Sequence, residues 1–340
     1  LSAAPLSQNE IITLLKVRGE TAREVLFRAA RKRRTEYFGN SIFLYGFLYI
    51  STYCRNNCTF CSFRRSNSEM RRYRKELPEI LEAAELLSDS GVHLIDLTMG
   101  EDPYFLQDRG ASMFIETIRT VHKETGLPVM VSPGAMPAEN IKEYAEAGAD
   151  WYACYQETHN KKLFDSLRGE QDYNIRLKTK YDAHEFGMLT EEGILSGVGE
   201  TVKDIAQSIQ TMKSLNADQV RVMRFVPGSG IPLRKSSGPV PSEPVIIAVL
   251  RLLFPDRLIP ASLDVEGLDG LKARLLAGAN VVTSIVPAGR GLSGVAQSSM
   301  DIETGKRSVK QVLEIAASCG LGGGTQEDYT VWIENRKKNL

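Results

Sequence analysis

Apolar residues recur along the chain in short runs that are separated by longer amphipathic segments. Eight runs are typical of buried strands, at 42–52, 92–98, 128–132, 150–155, 192–196, 219–225, 257–262 and 279–285. Helical spacing of apolar positions fills the gaps, at 78–89, 113–125, 138–146, 175–185, 202–214, 244–253 and 268–276. Further helices are predicted at both ends of the chain, at 7–17, 21–37, 307–318 and 326–336.

This alternation predicts an α/β fold. Strand and helix that alternate eight times imply a parallel sheet with helical crossovers, and the closed form of that sheet is the (β/α)8 TIM-type barrel. An open, doubly wound sheet is the alternative. We expect an N-terminal helical extension over residues 1–40 and a barrel over residues 41–340. In either fold, functional residues lie in loops after the carboxyl ends of strands.

The composition is that of a globular protein, with 42% hydrophobic and 25% charged residues. The 42 basic side chains balance the 42 acidic ones, so charge gives no reason to expect a nucleic-acid partner. No apolar run reaches the roughly 20 residues that span a bilayer. The first residues lack the basic and apolar regions of a signal peptide. We therefore expect a cytoplasmic protein that does not bind membranes.

Three of the five cysteines, Cys54, Cys58 and Cys61, lie directly after the first predicted strand. Three thiolates in one loop can bind three irons of a 4Fe–4S cluster, whereas a fully held cluster takes four cysteines. No fourth cysteine is near, so one iron would keep an open site. The alternatives are a zinc site and three ordinary thiols. Zinc usually takes four ligands, and this loop contains no histidine.

The remaining basic residues, cysteines and histidines of note are interpreted as surface or structural residues. The basic run after the cysteines is typical of solvated surface, with neutralisation of a cluster as the alternative; it comprises Arg64, Arg65, Arg71, Arg72 and Arg74. The isolated Cys154 and Cys319 are interpreted as buried thiols. The four histidines are scattered over different elements, so we expect them to be structural.

The cysteine spacing, with the aromatic Phe60 before the third cysteine, resembles the signature of the radical S-adenosylmethionine (SAM) superfamily. The resemblance implies a 4Fe–4S cluster on Cys54, Cys58 and Cys61, with SAM chelating the open iron through its amino and carboxylate groups. Electron transfer would then cleave SAM to methionine and a 5′-deoxyadenosyl radical. It also implies a full or partial barrel whose first-strand loop carries these cysteines.

The resemblance further implies the residues that bind SAM, namely Phe60, Glu101, Glu157, Arg176, Gly197 and Gly199. Glu101 matches a "GE" motif that contacts the amino group of SAM. Glu157 and Arg176 match polar residues that hold SAM in the biotin synthase and hydrogenase-maturase subfamilies. The two glycines match a motif that packs on the adenosyl part, and Phe60 would lie near the adenine. An acidic turn, solvated faces and core packing are the alternatives.

A candidate substrate site combines the sixth and seventh predicted strands. Arg221 lies among apolar residues, and a buried guanidinium can bind a carboxylate with two hydrogen bonds. Ser262 and Asp264 alternate onto one face, where the carboxylate can receive an ammonium group. Together they would clamp an α-amino acid, and Asp102 would be free to bind a second ammonium. The alternative is an internal Arg–Asp salt bridge.

These segments, together with 96–103 and 280–287, resemble the methylornithine synthases of pyrrolysine biosynthesis. The resemblance extends from Tyr37 to the eighth strand. It implies a mutase that isomerises L-lysine to (3R)-3-methyl-D-ornithine by radical chemistry without an acid–base residue. The substrate contacts would be Asp102, Arg221, Ser262 and Asp264, and a one-electron donor such as a flavodoxin or ferredoxin would be the partner.

Two alternatives stay open from the sequence. The first is another enzyme similar to biotin synthase or the hydrogenase maturases, with a different small, amino-acid-like substrate. A biotin synthase needs further cysteines for a sulfur-donating cluster, and no obvious set is present. The second is a non-catalytic scaffold that binds an iron–sulfur cluster or zinc. An enzyme that modifies tRNA is less favoured, because no basic excess is present.

Overall fold

A computed structural model describes residues 6–234, 241–292 and 307–340. Eight parallel strands form one sheet in the order β6-β5-β4-β3-β2-β1-β8-β7. They are β1 Ser41–Ser51, β2 Leu94–Met99, β3 Val129–Ser132, β4 Ala149–Ala153, β5 Leu189–Ser196, β6 Gln219–Arg224, β7 Pro260–Ser262 and β8 Val281–Ile285. A parallel bridge between Gln219 and Leu258 joins the two edges, so the sheet is a nearly closed barrel. The predicted barrel is confirmed.

Helices surround the sheet. They are α1 Gln8–Leu15, α2 Glu20–Phe38, α3 Leu77–Asp89, α4 Asp108–Thr125, α5 Ala138–Glu146, α6 Lys161–Arg168, α7 Tyr173–Glu185, α8 Val202–Ser214, α9 Glu243–Leu253, α10 Leu271–Leu276, α11 Val309–Ser318 and α12 Gln326–Lys337. A 3₁₀ turn at Pro103–Leu106 and a short strand β9 at Gly322–Gly323 complete the described elements. Within the described ranges, no helix has the length and apolar character needed to cross a bilayer.

The first strand shows why the sheet is buried on both faces. Tyr45 and Tyr49 point into the barrel and pack in an aromatic cluster, while Leu44 and Leu48 point outward and pack in the main helix-lined core. Strands covered on both faces carry near-continuous apolar sequence rather than strict alternation. This accounts for the long apolar run that predicted β1.

The N-terminal helices pack on the outside of the barrel. Helix α2 lies against α9, and α1 lies against α8 and α9. The buried Arg34 of α2 donates hydrogen bonds to the carbonyl oxygens of Leu275 (2.6 Å) and Ala279 (3.1 Å). These bonds fix the helical extension to α10 and to the loop between α10 and β8. The division of the chain between residues 40 and 41 stays a prediction.

Helix α12 covers the amino-terminal end of the barrel. The Tyr329 hydroxyl donates to the Tyr45 hydroxyl at 2.6 Å, and Tyr45 donates to Gln219 Oε1 at 3.1 Å. The Trp332 ring lies parallel to that of Trp151, with ring centroids 5.9 Å apart. The cavity described below lies at the opposite end, where the sequence analysis expected the functional loops.

We expect substitutions of Tyr329 to show how much α12 stabilises the barrel. Tyr329→Phe should lower the free energy of unfolding by about 1 kcal/mol, because one buried hydrogen bond is lost. Tyr329→Ala should lower it by about 3–5 kcal/mol, because this fully buried ring leaves a cavity. Denaturant unfolding of the purified protein measures both values. Equal, small losses would contradict the described packing.

Candidate active site

A cavity opens at the carboxyl ends of the strands. Its wall includes most of the predicted site residues: Cys54, Cys58, Cys61, Phe60, Glu101, Glu157, Arg176, Arg221 and Asp264. Residues from loops after β1, β2, β4, β6 and β7 therefore meet in one place. Four predicted residues are not part of the described wall: Asp102, Gly197, Gly199 and Ser262.

Arg72 holds the cysteine loop together. Its guanidinium donates to the carbonyl oxygens of Phe63 (2.9 Å), Arg64 (2.6 Å) and Asn67 (3.2 Å), and also to that of Thr52. One side chain thus satisfies four backbone acceptors on both sides of the cysteines. The interpretation of the basic run as solvated surface is wrong for Arg72, whose guanidinium is bound to backbone carbonyls of the cysteine loop.

The three cysteine thiols lie in different surroundings. Cys54 Sγ accepts from the backbone N–H of Asn56 at 3.4 Å, and Cys58 Sγ accepts from Gln171 Nε2 at 3.0 Å. Burial raises the pKa of the Cys54 and Cys61 thiols. Burial therefore disfavours free thiolates at Cys54 and Cys61, so neither thiol is suited to act as a free nucleophile.

Glu101 and Arg176 form a buried ion pair. Glu101 Oε1 lies 2.9 Å from Arg176 Nη1 and accepts from the backbone N–H of Ala135 at 3.0 Å, while Arg55 Nε contacts Oε2 at 3.1 Å. Burial alone would raise the pKa of Glu101, but Arg176 and the other donors outweigh it and hold the pKa below its usual value. The cavity thus presents a carboxylate and a guanidinium side by side.

Arg168 is a site residue that the sequence analysis missed. Its Nη2 lies 2.7 Å from Glu157 Oε1, its Nη1 donates to Cys58 Sγ at 3.4 Å, and its guanidinium lies 4.9 Å from the Phe60 ring centroid. Arg168 ends α6, a helix of eight residues that the sequence analysis did not predict. A short amphipathic segment ending in arginine was the available signal, and its length is below that of most recognisable helices.

Gly197 and Gly199 shape the loop after β5. Both have positive φ angles, 88° and 111°, which glycine adopts without strain. Glu200 accepts hydrogen bonds from the backbone N–H groups of Gly197 (2.7 Å) and Val198 (2.9 Å). Their contact with the adenosyl group stays a prediction.

Arg221 is buried on the inner face of β6 with one donor to spare. Its Nε lies 2.6 Å from Glu191 Oε1 and its Nη1 donates to Thr283 Oγ1 at 3.2 Å. Nη2 has no hydrogen-bond partner among the described residues. The internal salt bridge considered as an alternative is therefore present, but its carboxylate is Glu191 and not an aspartate. It leaves a buried N–H donor in the wall of the cavity.

Asp264 reaches the cavity, and Ser262 supports it. Asp264 Oδ1 lies 2.8 Å from Arg307 Nη1, and Oδ2 accepts from the Tyr49 hydroxyl at 2.8 Å. Ser262 Oγ accepts from the backbone N–H of Asp264 at 3.2 Å. The carboxylate is thus fixed and neutralised from behind by Arg307, a residue that the sequence analysis did not single out.

Asp102, which was expected to be free for a second ammonium group, is paired within the protein. It is fully buried, and Arg74 binds both of its oxygens at 2.6 and 2.9 Å. Ser51 Oγ donates to Oδ2 at 2.6 Å, and the Tyr104 backbone N–H donates to Oδ1 at 3.0 Å. In this arrangement Asp102 connects β1 to the loop after β2, and its contact with substrate stays a prediction.

Asp96 is a second residue that the sequence analysis missed. It is 1% exposed, lines the cavity, and accepts from Ser132 Oγ at 2.9 Å through Oδ1. Among the described residues, Oδ2 has no hydrogen-bond partner. Burial raises the pKa of Asp96 to about 8. The available signal was a charged residue within the apolar β2. Leu94, two positions earlier, faces into the barrel, and residues two apart on a strand face the same side.

Comparisons with known proteins agree with this site. The model of the radical SAM superfamily matches residues 48–212. The chain is 43% identical over 325 residues to a 3-methylornithine synthase of Methanosarcina acetivorans, covering 95% of this chain and 92% of the relative. It is 33% identical over 263 residues to the [FeFe] hydrogenase maturase subunit HydE of Thermotoga maritima, covering 76% of this chain and 74% of the relative.

A solved structure extends the similarity to the whole fold. A crystal structure of methylornithine synthase (PylB) superposes with a TM-score of 0.92 at 42% identity, covering 97% of each chain. Similarity at this level spans the cysteine loop, the barrel and the N-terminal helices together. The chain therefore belongs to the radical SAM superfamily and, within it, to the family of 3-methylornithine synthases.

Proposed function

We propose that this protein is a radical SAM mutase that isomerises L-lysine to (3R)-3-methyl-D-ornithine, the first step of pyrrolysine biosynthesis. The proposal is carried by one observation: a single cavity joins the three-cysteine loop to a buried arginine that has an unpaired donor. The relatives' names give the product, 3-methylornithine, and the cavity wall contains charged groups that can bind an amino acid.

Cys54, Cys58 and Cys61 would each bind one iron of a 4Fe–4S cluster, with SAM on the fourth iron. The three thiols line one cavity, and two of them need a nearby positive charge to ionise, which fits this group. When bound, the cluster and SAM supply the radical that removes a hydrogen atom from the substrate. We expect a one-electron donor of the flavodoxin or ferredoxin class to reduce the cluster.

The residues that would hold SAM present complementary charges. Glu101 and Arg176, 2.9 Å apart, can accept the ammonium and bind the carboxylate of its methionine part. Glu157 would bind SAM beside Arg168, and Phe60 would lie against the adenine. Gly197 and Gly199 would let the β5 loop approach the adenosyl part closely.

Lysine would be held at both ends of its chain. Arg221 Nη2 can donate to the carboxylate, and Asp96 Oδ2 can accept from an ammonium group, because both atoms are buried and unpaired among the described residues. Asp264, positioned by Ser262, would accept from the second ammonium. Fragments of a cleaved carbon skeleton must stay in place until they recombine, so contacts at both ends have a mechanistic purpose.

The product of the reaction tests the proposed function directly. We expect the reconstituted, dithionite-reduced protein to form methylornithine from lysine and SAM under anaerobic conditions, as measured by mass spectrometry. The matched control is Cys58→Ala, which should lose the cluster and form no product, whereas Cys319→Ala, outside the cavity, should behave like the wild type. Cleavage of SAM without methylornithine would instead favour a different small substrate.

Replacement of Arg221 tests the carboxylate contact. Arg221→Lys keeps a positive charge beside Glu191 but loses the forked donor, so we expect kcat/KM for lysine to fall about 10- to 100-fold. The matched control is Arg274→Lys, which alters an equally buried Arg–Glu pair outside the cavity. Steady-state kinetics of both variants measure the effect. A comparable loss in Arg274→Lys would assign the effect to folding.

The pH dependence tests Asp96. Burial raises the pKa of this carboxyl to about 8, so it is neutral below that pH and cannot pair with an ammonium group. We expect KM for lysine to fall about tenfold per pH unit as the pH rises towards the pKa, and to level off above it. Asp96→Asn should raise KM and abolish this slope. An unchanged slope in Asp96→Asn would show that another group titrates.

A further inference from the structure

We propose that the loop between α6 and α7 sets the reduction potential of the cluster through hydrogen bonds to one cysteine, Cys58. Arg168, the last residue of α6, and Gln171, within the loop, are the positioning residues that donate these bonds. The inference rests on the proposed cluster and is independent of the identity of the substrate.

The geometry at Cys58 differs from that at Cys54. Gln171 Nε2 lies 3.0 Å and Arg168 Nη1 lies 3.4 Å from Cys58 Sγ, and the cysteine itself is 5% exposed. Cys54 Sγ instead accepts from the backbone N–H of Asn56. Side-chain donors thus converge on one sulfur, and these donors come from the crossover after β4 rather than from the cysteine loop.

Contacts between the two loops hold these donors in place. The Thr59 backbone N–H, next to Cys58, donates to the Leu167 carbonyl at 2.9 Å, and Arg65 Nη2 pairs with Glu170 Oε1 at 2.8 Å. Leu167 and Glu170 flank Arg168 in sequence. Because backbone and side-chain contacts both join the loops, the distance from the donors to the sulfur is fixed by the fold.

The orientation of the Gln171 amide is fixed by its neighbour. Gln171 Oε1 accepts from Arg176 Nη1 at 3.0 Å, which turns the Nε2 group towards Cys58 Sγ. Arg176 is itself paired with Glu101, and Arg168 is paired with Glu157 at 2.7 Å. Each nearby cation is therefore balanced by a carboxylate. The hydrogen bonds, more than net charge, distinguish the surroundings of this sulfur.

The sign of the effect follows from charge. Reduction adds one electron to the cluster without breaking a bond, and part of the added negative charge resides on the cysteine sulfurs. N–H donors stabilise the more negative state, so hydrogen bonds to the sulfurs raise the reduction potential. The loop would thus make the cluster easier to reduce by a one-electron donor.

A redox titration of the holoprotein tests the proposal. The reduction potential is measured with dithionite by electron paramagnetic resonance, without SAM or lysine. We expect Gln171→Leu and Arg168→Gln each to shift the potential downward, and the double variant to shift it further. Glu157→Gln should shift it upward, because the charge of Arg168 is then unbalanced. The matched control, Arg119→Gln, removes the exposed arginine of the Arg119–Glu116 pair on α4, outside the cavity wall, and should change nothing.

Iron and sulfide content must match the wild type for these comparisons. If Gln171→Leu loads poorly, Gln171→Asn withdraws the amide by one methylene and should give a smaller downward shift. Resonance Raman spectra of the same samples should show a higher Fe–S stretching frequency when a hydrogen bond to Cys58 Sγ is lost. Unchanged potentials in fully loaded Gln171→Leu and Arg168→Gln, or an equal shift in Arg119→Gln, would overturn the proposal. Failure to convert lysine would leave these potentials unaffected.

Discussion

Charges buried in the barrel must be paired, because an unpaired ion away from water costs several kcal/mol or more. The cavity follows this constraint closely, with the pairs Glu101–Arg176, Glu157–Arg168, Glu191–Arg221 and Asp264–Arg307. Each pair fixes the position of a carboxylate or guanidinium group to which a polar ligand can bind. The same constraint makes exceptions informative. Among the described residues of the cavity wall, Arg221 Nη2, Asp96 Oδ2 and Arg168 Nε have no hydrogen-bond partner.

Arg221 Nη2 and Asp96 Oδ2 have opposite character. One is a donor on a permanent cation, and the other is an acceptor on a carboxyl whose pKa is raised to about 8 by burial. In the proposed function, a zwitterionic substrate would supply the missing partner of each atom. Specificity for an amino acid with a second ammonium would then come from the additional carboxylate, Asp264.

Much of the fold was predictable because its signals are local. All eight strands follow from apolar runs, and the cysteine loop follows from spacing within eight positions. The charge pairs were not predictable in this way. The register of β5 and β6 places Arg221 beside Gly193, and Arg221 pairs with Glu191, two residues earlier on β5. Asp264 pairs with Arg307, which lies beyond the end of β8. Asp96 lies within β2 and lines the cavity, whereas Asp102, six positions later, lies in the loop after β2 and is bound by Arg74.

The hydrogen bonds of Arg72 bear on how the cysteine loop would bind and lose a cluster. Because its guanidinium already satisfies four carbonyls of the cysteine loop, the loop is ordered by the protein's own hydrogen bonds. Binding of iron and sulfide then carries little cost for ordering the backbone. If oxygen destroyed the cluster, the cysteine loop would keep its conformation. The same polypeptide could then bind iron and sulfide again instead of being replaced.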